Sequence, residues 1–338
     1  MRLRFFGDKI RLIGLHFFLK MIYKIQSLKM KTRIGILGIG GVGGYFGGLL
    51  AKKYHNDDSV EIVFIARGET QKTIAKNGLT IISDQNETQV FPSIVSDNPA
   101  EIGVLDYLIC ATKTYHIESS LTSIKTCIFP NTILLPLYNG VDATDRIQQL
   151  FPRNRVLQAC VYIVSMISAP GKINKVGPFE SLFFGSQKYE IQDFIPLQKI
   201  LENANIQSQL VQNIEETIWE KFVFIATLAS ATTYFNQNIG EILSKNIDFF
   251  TQLLNEILHL AKAKNINLPE NILEQTIQKL KIAPQEATSS MHRDFLNNQS
   301  IEMQSLTQYV VNQGFIYQIK TPNFDLVFEK LKNYKNGY

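Results

Sequence analysis

The chain has 338 residues, enough for two ordinary domains with a sizeable core. With 45% hydrophobic and 19% charged residues it reads as soluble and globular, and a net charge of +4 without a Lys/Arg stripe argues against a nucleic-acid surface. Cys110, Cys127 and Cys160 have neither CxxC spacing nor a nearby histidine pattern, which argues against a metal centre or a disulfide framework and for buried thiols in a reduced, cytoplasmic compartment.

Residues 1–29 are basic and apolar. Asp8, Lys9, Arg11, His16 and Lys20 interrupt every apolar run, and a membrane span takes roughly 18–20 clean residues, so this stretch is expected to be an extension outside the fold. An amphipathic surface helix is the alternative. From Thr32 to about Pro152, apolar β-rich runs ("RIGILG", "VEIVFIA", "DYLICAT", "NTILLPLYN") alternate with helix-compatible segments at 45–54, 70–77 and 117–124. Alternation with continuous apolar strands predicts a parallel sheet covered on both faces. Residues 155–186 read as short β runs broken at Pro170-Gly171 and Gly177-Pro178, an antiparallel extension of that sheet. Beyond about Asn205 the β signals fade, and helical spacing covers 215–231, 246–263, 271–282 and 301–314. The expected fold class is therefore α/β: a Rossmann-type domain over 30–205 with an antiparallel extension, then an all-α domain over 206–338. The site is expected in the cleft between them, beyond the carboxyl ends of the strands.

Seven of the eleven residues Gly38–Gly48 are glycine. Gly38, Gly40 and Gly43 fit G-x-G-x-x-G between a strand and a helix: the first for the tight turn, the second for backbone approach to a pyrophosphate, the third for helix–strand closeness. The loop Gly38, Ile39, Gly40, Gly41, Val42, Gly43 is thus the expected dinucleotide site. NAD-type sites end the second strand in an acid that binds the ribose 2′-hydroxyl; here "VEIVFIARGET" ends in Ala66-Arg67, and Arg67 suits a 2′-phosphate, so NADP(H) is the expected cofactor. Two further strand ends carry polar residues, Lys113 and Asn139.

The whole arrangement, from about Lys31 to the C-terminus, resembles the ketopantoate reductases (2-dehydropantoate 2-reductases). Lys113 and Asn139 match that family's strand-end lysine and asparagine on the nicotinamide side of the cleft. "ETIWEKF" supplies the family's W-x-K as Trp219 and Lys221, and the resemblance makes Lys221 the proton donor to the substrate ketone. "SSMHRDFLNNQSIE" supplies Ser289, Ser290, Met291, Asp294 and Glu302 at the family's spacing. The resemblance implies that Ser290 contacts the substrate carboxylate and that Glu302 approaches both the cofactor and Lys221. Asn139, Lys221 and Ser290 are accordingly the expected substrate contacts, the substrate a small 2-oxo acid, and the activity the NADPH-dependent reduction of ketopantoate to pantoate in pantothenate (coenzyme A) biosynthesis. The resemblance also allows a homodimer, although no stretch marks an interface.

The substrate half departs from the family pattern. Asparagines expected four and eight residues after the lysine are Ile225 and Ala229, a third is Ile239, and the later D-x-x-N-G is absent, the stretch from Gln304 through Leu306 and Thr307 reading Q-S-L-T. An apolar pocket discriminates weakly where a hydrogen-bonding one discriminates strongly, so a more apolar 2-oxo acid is the competing substrate unless Thr227, Thr232 or Thr233 compensates. Two other readings remain open: a related hydroxyacid or sugar-acid dehydrogenase, which should carry K-x-x-N where Lys221 has Phe224, and a non-catalytic NADP(H) sensor, which would be indifferent to Lys221→Ala. The five histidines are scattered, and none is assigned to catalysis or to metal binding.

Overall fold

The computed structural model describes residues 31–84 and 86–334; the extension expected over 1–29 lies outside them. The N-terminal part alternates as the sequence predicts. Strand β1 (Thr32–Leu37) leads into α1 (Gly41–Lys53), β2 (Val60–Ile65) into α2 (Gly68–Asn77). Three short strands then follow, β3 (Leu79–Ser83), β4 (Asn86–Val90) and β5 (Ile94–Ser96). Next come α3 (Pro99–Ile102), β6 (Tyr107–Cys110), α4 (Ile117–Ser123), β7 (Ile133–Pro136), α5 (Ala143–Leu150) and β8 (Arg155–Val156). Six strands form a parallel sheet in the order β5-β2-β1-β6-β7-β8. Its central strands are apolar along their length because helices cover both faces.

The predicted antiparallel extension is instead a second sheet. Two long strands, β9 (Gln158–Ala169) and β10 (Lys172–Gly185), form a hairpin; β10 also pairs in parallel with β3 and, after α6 (Ile195–Asn203), with β11 (Gln207–Leu210), while β4 pairs with β3. The break expected at Gly177-Pro178 is a bulge within β10. The register jumps between Lys175 and Glu180, which absorbs a proline that cannot donate to the ladder.

Two sheets explain the glycines that a phosphate alone does not. Helix α1 lies between them and is buried on both sides. A Cβ on Gly43 would meet Gly38 O at 2.1 Å, and one on Gly47 would meet Ile36 and Phe64; these two glycines face the parallel sheet. A Cβ on Gly44 would meet Ile173 at 2.7 Å and one on Gly48 would meet Ile81 at 2.4 Å, both on the second sheet. Two i, i+4 pairs of glycine on neighbouring flanks of one helix let both sheets approach it closely.

Residues beyond β11 are helical: α7 (Ile214–Phe235), α8 (Ile239–Lys245), α9 (Ile247–Ala263), α10 (Ile272–Ile282), α11 (Ser290–Leu296), a π-turn segment Gln304–Gln308, α12 (Tyr309–Tyr317) and α13 (Pro322–Leu331). The long α7 is the hub, packed by α9, α11 and α13 around Phe222, Val223, Leu253, Leu254 and Phe324. It runs four residues past the predicted end because Asn236 accepts the left-handed conformation that closes it. Among the described residues no helix is long and apolar enough to cross a membrane.

Candidate active site

The first cluster forms at the tip of β1. Gly38 has φ +93°, and a Cβ there would strike the backbone of Ala111 and Thr112 at the tip of β6 within 2.9 Å. Gly40, the N-cap of α1, has nothing within 4 Å of where its Cβ would be, and no side chain caps the helix. The first backbone N–H groups of α1 therefore face an open cradle with the positive end of the helix behind it. Ile39 is buried and Val42 half-buried; both hold the loop onto the core. This cradle fits a pyrophosphate.

Arg67 is the exposed N-cap of α2, on the neighbouring strand tip, and it makes no ion pair with a carboxylate among the described residues. That leaves its fork free for an anion. On the other side of β1, Lys113 follows β6 and is engaged by two acids of the helical domain, with Nζ 2.6 Å from Asp294 Oδ2 and 3.9 Å from Glu302 Oε2. Burial pulls the Lys113 pKa down, but these two carboxylates outweigh it and leave it raised. Glu302 is itself buried, and its other oxygen accepts from Thr114 N at 3.0 Å.

Lys221 lies on α7, and its ammonium reaches across to the N-terminal domain. Nζ donates to Asn139 Oδ1 at 2.9 Å and to the Val161 carbonyl at 2.8 Å, and sits 5.8 Å from the centre of the Tyr162 ring. An ammonium has three N–H donors, so two bonds fix the group and one remains for a ligand oxygen. Burial pulls the Lys221 pKa below its ordinary 10.5, a fall that the field of the Glu302 carboxylate opposes, while burial keeps the neighbouring Cys160 thiol protonated. Asn139 is presented by the turn after β7, where Gly140 has φ +100° and a Cβ would meet Ser305 at 3.1 Å, so the helical domain closes directly on that turn.

The structure thus joins Lys221 to Asn139, and Lys113 to Glu302, while the approach of Glu302 to Lys221 that the resemblance implies stops short of a direct contact. No ion pair within 4.0 Å links those two, and Glu302 acts on the lysine only through its field. Ser290 opens α11, half-buried, and makes no hydrogen bond to Lys221, Asn139 or Lys113. Its neighbour Ser289 is the N-cap, accepting from His292 N and sharing a hydrogen bond with Thr232. The holding role of Val161 is invisible in sequence because the interacting atom is a carbonyl that every residue carries. Asp294 lies within the quoted serine motif, yet its pairing with Lys113, 181 residues away, depends on domain packing.

Along α7, the two positions a turn and two turns beyond Lys221 are Ile225, half-buried, and Ala229, buried; Ile239 is also buried in the same core. Thr227 donates to Val223 O and Thr232 to Leu228 O, so neither hydroxyl replaces a missing amide. Thr233 Oγ1 is buried without a partner.

Comparison with known proteins agrees across the chain. A family model described as "Ketopantoate reductase PanE/ApbA" matches residues 34–188, and one described as "Ketopantoate reductase PanE/ApbA C terminal" matches residues 213–335. The chain is 25% identical over 303 residues to the Bacillus subtilis "Uncharacterized oxidoreductase YkpB", covering 89% of this chain and 98% of that protein. It is 24% identical over 299 residues to a 2-dehydropantoate 2-reductase of Streptococcus pyogenes serotype M6, covering 87% and 95%. A crystal structure of 2-dehydropantoate 2-reductase from Porphyromonas gingivalis W83 superimposes with a TM-score of 0.78 at 32% identity, over 90% of this chain and all of that one.

Proposed function

The chain belongs to the ketopantoate reductase family, an oxidoreductase family acting on CH–OH groups with NADP, and on that premise we propose that it reduces 2-dehydropantoate to pantoate, with Lys221 as the proton donor. The observation that carries the proposal is the held ammonium of Lys221: two acceptors fixed, one N–H unspent, and an acidity increased by burial.

The residues present fit the dinucleotide. The open cradle at Gly40, with the loop Gly38–Gly43, takes the pyrophosphate; Arg67 takes the 2′-phosphate; Lys113, Asn139 and Glu302 sit at the strand tips and domain face that flank the loop. When bound, the reduced nicotinamide supplies the hydride to the ketone carbon. Lys221 then has two tasks. Its charge stabilises the oxygen as negative charge develops there, and its third N–H delivers the proton that completes the hydroxyl. Asn139 and Val161 O keep Nζ in place while this happens. Ser290 is assigned to the substrate carboxylate from the family motif.

A second reading concerns the substrate's side chain. Ile225, Ala229 and Ile239 offer no hydrogen bond, Thr227 is spent on the helix itself and Thr232 on the helix and Ser289, so that of the three threonines only the Thr233 hydroxyl is left unpaired. This favours a 2-oxo acid without a distal hydroxyl. The test follows NADPH oxidation with 2-dehydropantoate beside 3,3-dimethyl-2-oxobutanoate, the same acid lacking only the hydroxyl. Preference for 2-dehydropantoate by about a hundredfold or more supports the first reading, since a site that pairs a hydroxyl rejects the analogue strongly. Equal or better turnover of the analogue supports the second. Binding of NADPH with no turnover of any 2-oxo acid, or turnover undiminished in Lys221→Ala, would sink both.

A further inference from the structure

Helix α11 carries Ser290 at its first position and has only seven residues, too few to hold a geometry by its own hydrogen bonds. What holds it is the end of α7. Thr232 and Asn236 stand one turn apart there, Thr232 in the last turn of the helix and Asn236 at its left-handed close. Thr232 Oγ1 shares a hydrogen bond of 2.9 Å with the Ser289 hydroxyl, and Asn236 Oδ1 lies 2.8 Å from His292 Nε2. His292 reaches backward as well: its Nδ1 lies 2.6 Å from the hydroxyl of Thr288, which leads into α11. One imidazole therefore clamps the entry to α11 against the end of α7, and Ser290 stands midway in the chain between Thr288 and His292.

The partners suit a neutral imidazole. His292 is buried, and burial lowers its pKa below the ordinary 6.5 against the opposing field of Glu241 on α8. A neutral ring has one donor and one acceptor. The Asn236 carbonyl oxygen only accepts, so Nε2 carries the proton and Nδ1 accepts from the Thr288 hydroxyl. The ring is also stacked on Phe295, with centroids 6.2 Å apart and planes 30° apart, which fixes its tilt. Both ring nitrogens are thus spent inside the protein. Ser290 is in the opposite condition: it is half-buried, and its hydroxyl has no hydrogen-bond partner among the described residues.

We propose that His292 is a positioning residue for substrate binding: by joining Thr288 to Asn236 it holds the Ser290 hydroxyl where the substrate carboxylate is received. The inference rests on the assignment of Ser290 to that carboxylate and adds the residue that sets its place. The consequence is selective. Asp294, two residues further along α11, stays paired with Lys113 across the domains, so loss of the clamp releases only the first turn of the helix. The glycine loop and Lys221 belong to other elements and keep their positions. Loss of the clamp therefore raises KM for the 2-oxo acid, with little change in kcat or in NADPH affinity.

The test is steady-state kinetics of the full chain with the better of the two 2-oxo acids compared above, together with NADPH dissociation constants. The variants are His292→Phe, His292→Gln, Ser290→Ala and the double variant Ser290→Ala/His292→Phe. Phenylalanine keeps an aromatic ring against Phe295 and loses both bonds; glutamine keeps an amide able to donate to Asn236. In His292→Phe, KM should rise about tenfold, the effect of weakening one hydrogen bond to a charged group, while the NADPH dissociation constant stays at the wild-type value. His292→Gln should recover most of that rise. The double variant should be no worse than Ser290→Ala alone, because both changes act on one contact. Should His292→Phe not fold, Thr288→Val removes one of the two bonds at a half-buried position and is read in the same way. Effects that multiply in the double variant, or an unchanged KM in His292→Phe beside a raised one in Ser290→Ala, overturn the inference and leave the assignment of Ser290 intact. An unchanged KM in Ser290→Ala, or a wild-type chain that turns over neither acid, overturns that assignment and the inference with it.

Discussion

Lys221 and Asn139 stand on different domains, so their hydrogen bond is both a catalytic and a structural measurement. An acid catalyst must carry its proton, and burial has lowered the Lys221 pKa from 10.5. Reduction should therefore be constant at low pH and decline as pH rises through a limb below 10.5, whereas oxidation of the hydroxy acid should rise through the same limb. Lys221→Ala should lose about 10²–10⁴-fold in kcat, with NADPH affinity nearly intact. Asn139→Ala removes an acceptor that favours the charged ammonium. Its alkaline limb should move to lower pH and its kcat should fall by about 10–100-fold through loss of alignment. An Asn139→Ala protein with an unmoved limb would show that the asparagine does not hold the lysine. The Glu302 carboxylate, whose field opposes the effect of burial, gives the opposite control: Glu302→Gln should also lower the limb, by less than removal of a direct partner would.

At the scale of the element, α1 makes a graded prediction. Gly43→Ala drives a Cβ into the carbonyl of Gly38, which is backbone and has no way to move aside, and it should cost about 3 kcal/mol or more. Gly48→Ala meets only the end of the Ile81 side chain, which can rotate; overpacking of about 1–3 kcal/mol is offset by about 1 kcal/mol of helix propensity. Urea denaturation midpoints should therefore drop sharply for the first and slightly for the second, and equal midpoints would refute the sandwiched-helix account. These same glycines mark what was legible in the sequence. Gly38, Gly40 and Gly43 are read from spacing because the strand–turn–helix pattern is local, and so are β1, β2, β6 and β7 from their apolar runs. Strands β3, β4 and β11 are not, because "NETQV" and "QSQL" are polar edge segments, and both β11 and the inner strand β3 that carries β4 are placed by pairing with β10, distant in the chain. The purpose of Gly44 and Gly48 depends on that second sheet, so it was hidden with it. Lys221 reads as a surface charge without the W-x-K resemblance, because nothing local reveals that Val161 and Asn139 converge on it.

For the whole molecule, alignment of the two domains rests on a buried polar seam beside the site. Arg146 on α5 donates to Thr114 O at 2.9 Å, to Glu118, to Asp142 at 3.2 Å and, across the domain boundary, to Ser305 Oγ at 3.3 Å. Ser305 is fully buried and donates in turn to Asp142, while the N–H of Thr114 is held by Glu302. One side chain thus ties the segment carrying Lys113 to the stretch of chain from Glu302 to Ser305. Removing it leaves Asp142 and Ser305 desolvated without their partner. Because Glu118 is about half exposed, only part of the network is screened from water, and Arg146→Ala should cost about 2–3 kcal/mol rather than the full penalty of a buried ion pair. A larger consequence is expected in catalysis. Lys221 reaches its acceptors only if the domains keep their register, and a shift near 1 Å at the reacting atoms costs on the order of a hundredfold. Arg146→Lys keeps the charge but loses the fork that serves four partners, so it should recover little of that rate. Thermal unfolding and steady-state kinetics of both variants separate the two effects. A kcat that stays at the wild-type level while the melting temperature falls would mean that the seam supports folding alone; a kcat lost out of proportion to stability would locate the control of catalysis in the contact between the domains.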